Sequence, residues 1–247
     1  MIFPQLKEGG QDLIHQERYL RLAFYAPGAV YRPDNGETLL NETCQEIAIG
    51  IDKWAANVNN VQIYWLEGLA RTGKTFIAQT IVERRLKDKK LVASFFCSPD
   101  PRNNGSVLET VTTEYKFWDN PCAIFPTLAV QLAKECPTFC LGFFDAIDGE
   151  DAKVFSFQVL DNLLEKLIVE PLQQSDLNLL IVIDGLDQCK NDEHISDFLS
   201  ILRKSISKIP KLKVLITSRS SSEWGHQDLC YDTGAGATHP CFQVIGS

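Results

Sequence analysis

The chain has 247 residues, 45% apolar and 23% charged, which permits a sizeable buried core and excludes global disorder. Asp and Glu total 32 against 24 Lys and Arg, and the net charge of −8 disfavours a nucleic-acid surface over the whole chain. The longest apolar run is about seven residues, far below the roughly 20 that span a bilayer, and the start MIFPQLKEGGQDLIHQ carries no secretory pattern. Cysteines are sparse and no CxxC pair occurs, so reduced thiols and a cytoplasmic location are expected.

Residues 1–37 contain Gly9-Gly10, Pro27-Gly28 and Pro33-Asp34-Asn35-Gly36 and read as an irregular lead-in. The spacing of Ile47, Ile51 and Trp54 predicts a helix over 38–56, which closes a lead-in region of 1–59. A short β-prone run follows at 61–66, and from Lys74 to Leu86 the pattern is helical, with Ile77, Ile81 and Val82 facing inward. Residues 91–96 form another apolar run. Residues 97–123, with Pro99, Pro101, Asn103-Asn104-Gly105 and Pro121, read as loop.

Phe125, Leu128, Ala129, Leu132 and Ala133 then form one helical stripe. Leu160, Leu163, Leu164, Leu167 and Ile168 repeat the spacing in a helix expected to end at Pro171. The run 179–183 is continuously apolar, as a central parallel strand requires. A helix over 192–208 and a strand over 212–217 complete the alternation, so a parallel sheet flanked by helices in three α/β layers is expected. Residues 220–247, with Ser220-Ser221-Ser222 and Gly234-Ala235-Gly236, read as an irregular tail.

Gly68-Leu69-Ala70-Arg71-Thr72-Gly73-Lys74-Thr75 matches GxxxxGK[ST] between a β-prone run and a helical one. Such a loop turns its backbone N–H groups and the helix N-terminus toward an anion. Lys74 adds a cation for the β- and γ-phosphates, and the Thr75 hydroxyl is a Mg²⁺ ligand. Lys74 is expected to be partly exposed in the empty loop. Asp184, ending the 179–183 strand, is the second metal anchor, and its strand is expected beside the one ending in Leu66 in a five-stranded sheet. Asp187 could orient or activate the attacking water; a plain helix-start acid is the alternative. Arg219, closing the next strand, could contact the γ-phosphate bidentately, or simply be solvated.

In this order WLEGLARTGKTFIAQTI, LVASFFCS, FPTLAVQLA, LLIVIDGLDQC and LKVLITSR resemble the NACHT-type domain of fungal STAND P-loop NTPases, in its nephrocystin-3-like N-terminal version. The resemblance covers residues 60–219. It implies an ATP- or GTP-dependent switch with Mg²⁺, self-association and NLR-like partner proteins. It places Walker A at Gly68, Gly73, Lys74 and Thr75, the metal aspartate at Asp184, the second acid at Asp187 and the strand-end arginine at Arg219. It also implies a base pocket built partly from residues before about 60, where no distinctive motif stands, and partly from family segments that this sequence does not contain.

Three features depart from the family pattern. Arg71 stands where glycine is usual, and Gln188 stands where glutamate is common. Glutamine orients water but cannot accept its proton, which argues against brisk hydrolysis. The chain stops 28 residues after Arg219, short of the helical, winged-helix and repeat regions the family normally carries. A nucleotide-binding scaffold without turnover and a small-molecule phosphotransferase are the competing functions. No NKxD motif supports GTP specificity, and Gly185 stands where an AAA+ motor has glutamate.

Overall fold

The computed structural model describes residues 25–26, 29–31, 42–57, 61–98, 117–148, 163–173, 177–190, 192–219 and 242–245. Five strands, β1 (Ile63–Gly68), β2 (Val92–Phe96), β3 (Leu179–Asp184), β4 (Leu212–Ser218) and β5 (Phe242–Ile245), form one sheet in the order β2-β3-β4-β1-β5. All four pairings are parallel.

Helices cover both faces, which is why β3 and β4 are buried at every position and why 179–183 reads as an unbroken apolar run. On one face lie α1 (Glu42–Ala56) and α2 (Lys74–Lys87), closing Ile51, Trp54, Ile77 and Ile81 onto Leu66, Val182 and Leu215. On the other lie α3 (Ile124–Glu135) and α4 (Pro137–Asp148). Next along the chain come a π-type turn (Glu165–Val169), the single turn α5 (Glu170–Gln173) and α6 (Asp192–Ile206). Phe125 of α3 and Phe198 of α6 stack at 4.9 Å over this face. The three-layer α/β architecture expected from the alternation is present.

Three local expectations change, and one helix had no expectation. The strand ending in Asp184 does not lie beside the one ending in Leu66, because β4 is inserted between β3 and β1. Helix α4, which the sequence reading did not include, starts with Pro137 at the first helical position, its missing N–H being unneeded there. The helix expected to end at Pro171 runs on to Gln173. The preceding π-type turn, with Glu170 N–H bonded to Glu165 O, loosens the register so that the lost donor of Pro171 is accommodated. Where an irregular tail was expected, Phe242–Ile245 pairs with β1, while 220–241 lies outside the described residues. Residues 38–41, 99–116 and Leu160 of the sequence reading also lie outside them.

β2 is an edge strand whose open side offers the N–H and carbonyl of Ser94. The Gln131 side chain of α3 takes both, its Oε1 accepting at 2.9 Å and its Nε2 donating at 2.8 Å. Gln131→Leu leaves those two groups unpaired beneath α3 and is expected to lower stability by about 1–3 kcal/mol in denaturant unfolding.

Candidate functional site

The carboxyl ends of β1, β3 and β4 meet where α2 begins. Gly68 ends β1, residues 69–73 turn, and α2 starts at Lys74. Gly73 takes φ 93°, and a Cβ there would stand 2.9 Å from Cys44 Sγ of α1, so both backbone and space demand glycine. Arg71 takes φ 66°, the left-handed region, which explains why glycine is the usual residue at this point of the loop.

Lys74 is 9% exposed, not partly exposed as the sequence suggested. Its ammonium folds under the loop and donates to the carbonyls of Gly68 and Leu69, each at 2.7 Å. Burial lowers its pKa, opposed by Asp187 and Asp184 and reinforced by Arg219. The carbonyl contacts hold the side chain until an anion competes for it.

Asp184 is 2% exposed at the end of β3. Its Oδ1 accepts from the Thr217 hydroxyl of β4 at 2.6 Å, and its carboxylate also accepts from the Thr75 hydroxyl at the start of α2. Thr217 Oγ1 in turn accepts from Gly185 N at 2.9 Å. Burial raises the Asp184 pKa, with the Thr217 and Thr75 bonds pulling the other way. Mg²⁺ prefers a small set of oxygen ligands completed by water and phosphate, and the paired Thr75 hydroxyl and Asp184 carboxylate fit that preference. Among the described residues no cluster of three or more His, Cys, Asp or Glu suggests any other metal.

Gly185, at φ 70°, opens the tight turn Leu186–Gln188. Asp187 and Arg219, assigned separate catalytic roles from sequence, are bonded to each other. Arg219 N donates to Oδ1 at 2.8 Å and Nε to Oδ2 at 2.6 Å, with Asp187 10% and Arg219 58% exposed. A cavity of about 330 Å³ opens beside Thr75 and Asp184, walled by Tyr31, Gln79, Phe96 and Gln188.

Sequence reasoning passed over two residues here. Thr217 was visible only as part of a strand-end triplet, and its role follows from β4 lying beside β3. Glu67, just before Gly68, is 3% exposed, and its Oε1 has no hydrogen-bond partner among the described residues.

A phosphate loop on β1, a buried aspartate on β3 and a β4 inserted between them define a P-loop nucleotide-binding module. The sequence profile described as Nephrocystin 3, N-terminal matches residues 42–219, well over half of the chain. The chain belongs to this family, a NACHT-type P-loop domain. Among curated proteins nothing matches it. Of solved structures, Cdc6p of Pyrobaculum aerophilum is similar at 16% identity and TM-score 0.44, over 78% of this chain and 44% of that one. The Aeropyrum pernix ORC1 protein, solved in complex with DNA, is similar at 14% identity and TM-score 0.46, over 92% and 48%. The chain thus spans under half the length of either. Net charge and the lack of a dense Lys/Arg block disfavour a nucleic-acid surface without excluding one. Among the described residues no helix is long and apolar enough to cross a membrane.

Two substitutions test the local physics. Arg71→Gly relieves a left-handed arginine and is expected to raise stability by about 0.5–1 kcal/mol without loss of nucleotide affinity. Asp184→Asn removes the buried charge. It is expected to stabilise the nucleotide-free chain by about 1 kcal/mol, roughly 2–4 °C in melting temperature, while abolishing Mg²⁺-dependent nucleotide binding.

Proposed function

We propose that the chain is the Mg-ATP-binding module of a STAND-type signalling switch of fungal type, acting in the cytoplasm and hydrolysing ATP slowly at most. The observation that carries this reading is the convergence of Lys74 and Thr75 from the start of α2 with Asp184 from the end of β3. Lys74 releases the loop carbonyls to meet β- and γ-phosphate oxygens, while the unpaired N–H groups at the start of α2 face the same anion. Thr75 and Asp184 would hold Mg²⁺, which supplies charge neutralisation at the phosphates when bound.

Slow turnover follows from two features. Gln188 cannot accept a proton from water, and the carboxylate that could, Asp187, is engaged at both oxygens by Arg219. Arg219 holds Asp187 through its backbone N and Nε and would meet a γ-phosphate through its Nη groups, which couples the nucleotide to the turn after β3 and to the end of β4. That coupling is what a switch needs to pass its state to a self-associating surface or partner protein. The same pair also favours the second reading, a scaffold that binds ATP without turnover. A phosphotransferase gains little, since no basic side chain walls the cavity beside Asp184.

Equilibrium binding and single-turnover hydrolysis on the purified chain test the proposal. Mg-ATP should bind and turn over far below about 10 per second. Lys74→Ala should abolish binding in a folded variant, and Gln188→Glu should raise the rate. Unchanged binding by Lys74→Ala, or brisk hydrolysis by the unmodified chain, would overturn the reading.

A further inference from the structure

Two cysteines far apart in the chain meet beside Asp184. Cys97 follows β2, and Cys189 follows the turn Leu186–Gln188, 92 residues further on. Their Sγ atoms are 3.3 Å apart, and the residues are 4% and 8% exposed. Backbone bonds hold each of them in place. Cys97 N donates to Asp184 O at 2.9 Å, and Cys189 N donates to Leu186 O at 3.1 Å. A Cβ built on Gly185 would stand 3.4 Å from Cys97 O, so the turn lies directly against the end of β2.

The pair is buried but not sealed. Cys97, Ser98 and Gln188 all line the cavity of about 330 Å³ beside Thr75 and Asp184. A molecule the size of water or hydrogen peroxide has ample room there. Burial, and then the contact with Cys189, push the Cys97 thiol up, so its oxidation is slow.

We propose that Cys97 and Cys189 form an oxidation site whose disulfide closes on this cavity and weakens nucleotide binding; the binding half of the proposal rests on the nucleotide reading above. The oxidant class is a peroxide. Hydrogen peroxide gives one oxygen to the Cys97 sulfur, leaving a sulfenic acid and one water. The Cys189 sulfur then displaces the hydroxyl, which departs with the Cys189 thiol proton as a second water. Two S–H bonds and the O–O bond are lost, one S–S bond is gained, and two electrons pass from sulfur to peroxide. A disulfide bond is about 2.0 Å long, so the sulfurs approach by roughly 1.3 Å. That movement draws the turn carrying Asp187 and Gln188 toward the end of β2, across the cavity that Cys97 and Gln188 both wall.

The test treats the reduced full chain with hydrogen peroxide, maps its cross-links by mass spectrometry without reductant, and measures Mg-ATP affinity before and after. A Cys97–Cys189 link should form over minutes to hours, affinity should fall about five-fold or more with it, and dithiothreitol should restore both. Cys189→Ala should bind Mg-ATP like wild type when reduced and keep that affinity in peroxide. Absence of the link from the wild-type map overturns the inference, needs no variant to fold, and leaves the nucleotide reading standing. A fully linked chain with unchanged affinity overturns it as well. So does a loss of affinity that persists in Cys189→Ala, which would place the oxidation at another thiol, such as Cys44 beside the phosphate loop. A reduced wild-type chain that binds no Mg-ATP would instead sink the nucleotide reading, and the binding half of this inference with it.

Discussion

A carboxylate buried at the end of the central strand is the constraint around which the rest of the site is arranged. Asp184 has almost no contact with solvent, and an isolated charge in that position would be strongly disfavoured. Two hydroxyls answer it, Thr217 from β4 and Thr75 from α2. Each comes from a different element, so the bond set ties β3, β4 and the phosphate loop into one unit. Its raised pKa records that the hydroxyls only partly replace lost water, and a divalent cation would complete the compensation.

The same unit explains the neighbouring tension. Lys74 is held on loop carbonyls, Arg71 and Gly73 take left-handed backbone, and Arg219 occupies both oxygens of Asp187. Under the proposed nucleotide reading, the Lys74 ammonium would exchange its loop carbonyls for phosphate oxygens.

The strand order shows how topology changed one expectation while keeping its consequence. Adjacency of the Asp184 strand to the loop strand was expected because Asp184 must reach Thr75. It does reach Thr75, across an intervening strand whose Thr217 hydroxyl also bonds Asp184. Distance between side chains is set by where strands end, and all three end at one edge of the sheet.

The sequence by itself determined the alternation of strands and helices, the loop from Gly68 to Thr75, and the acid closing the 179–183 run. These are local signals: apolar period, glycine spacing and a charge ending a buried strand. It did not determine that α4 begins at Pro137 or that Pro171 stays inside a helix, since proline reads as a stop until its neighbours show which donor is dispensable. Nor could it pair Asp187 with Arg219, bury Lys74 or leave Phe76 half exposed. Those depend on contacts between residues as much as 32 apart in the chain, brought together only when β4 lies between β3 and β1. Burial and partnership are properties of the packed sheet, and no window of sequence contains them.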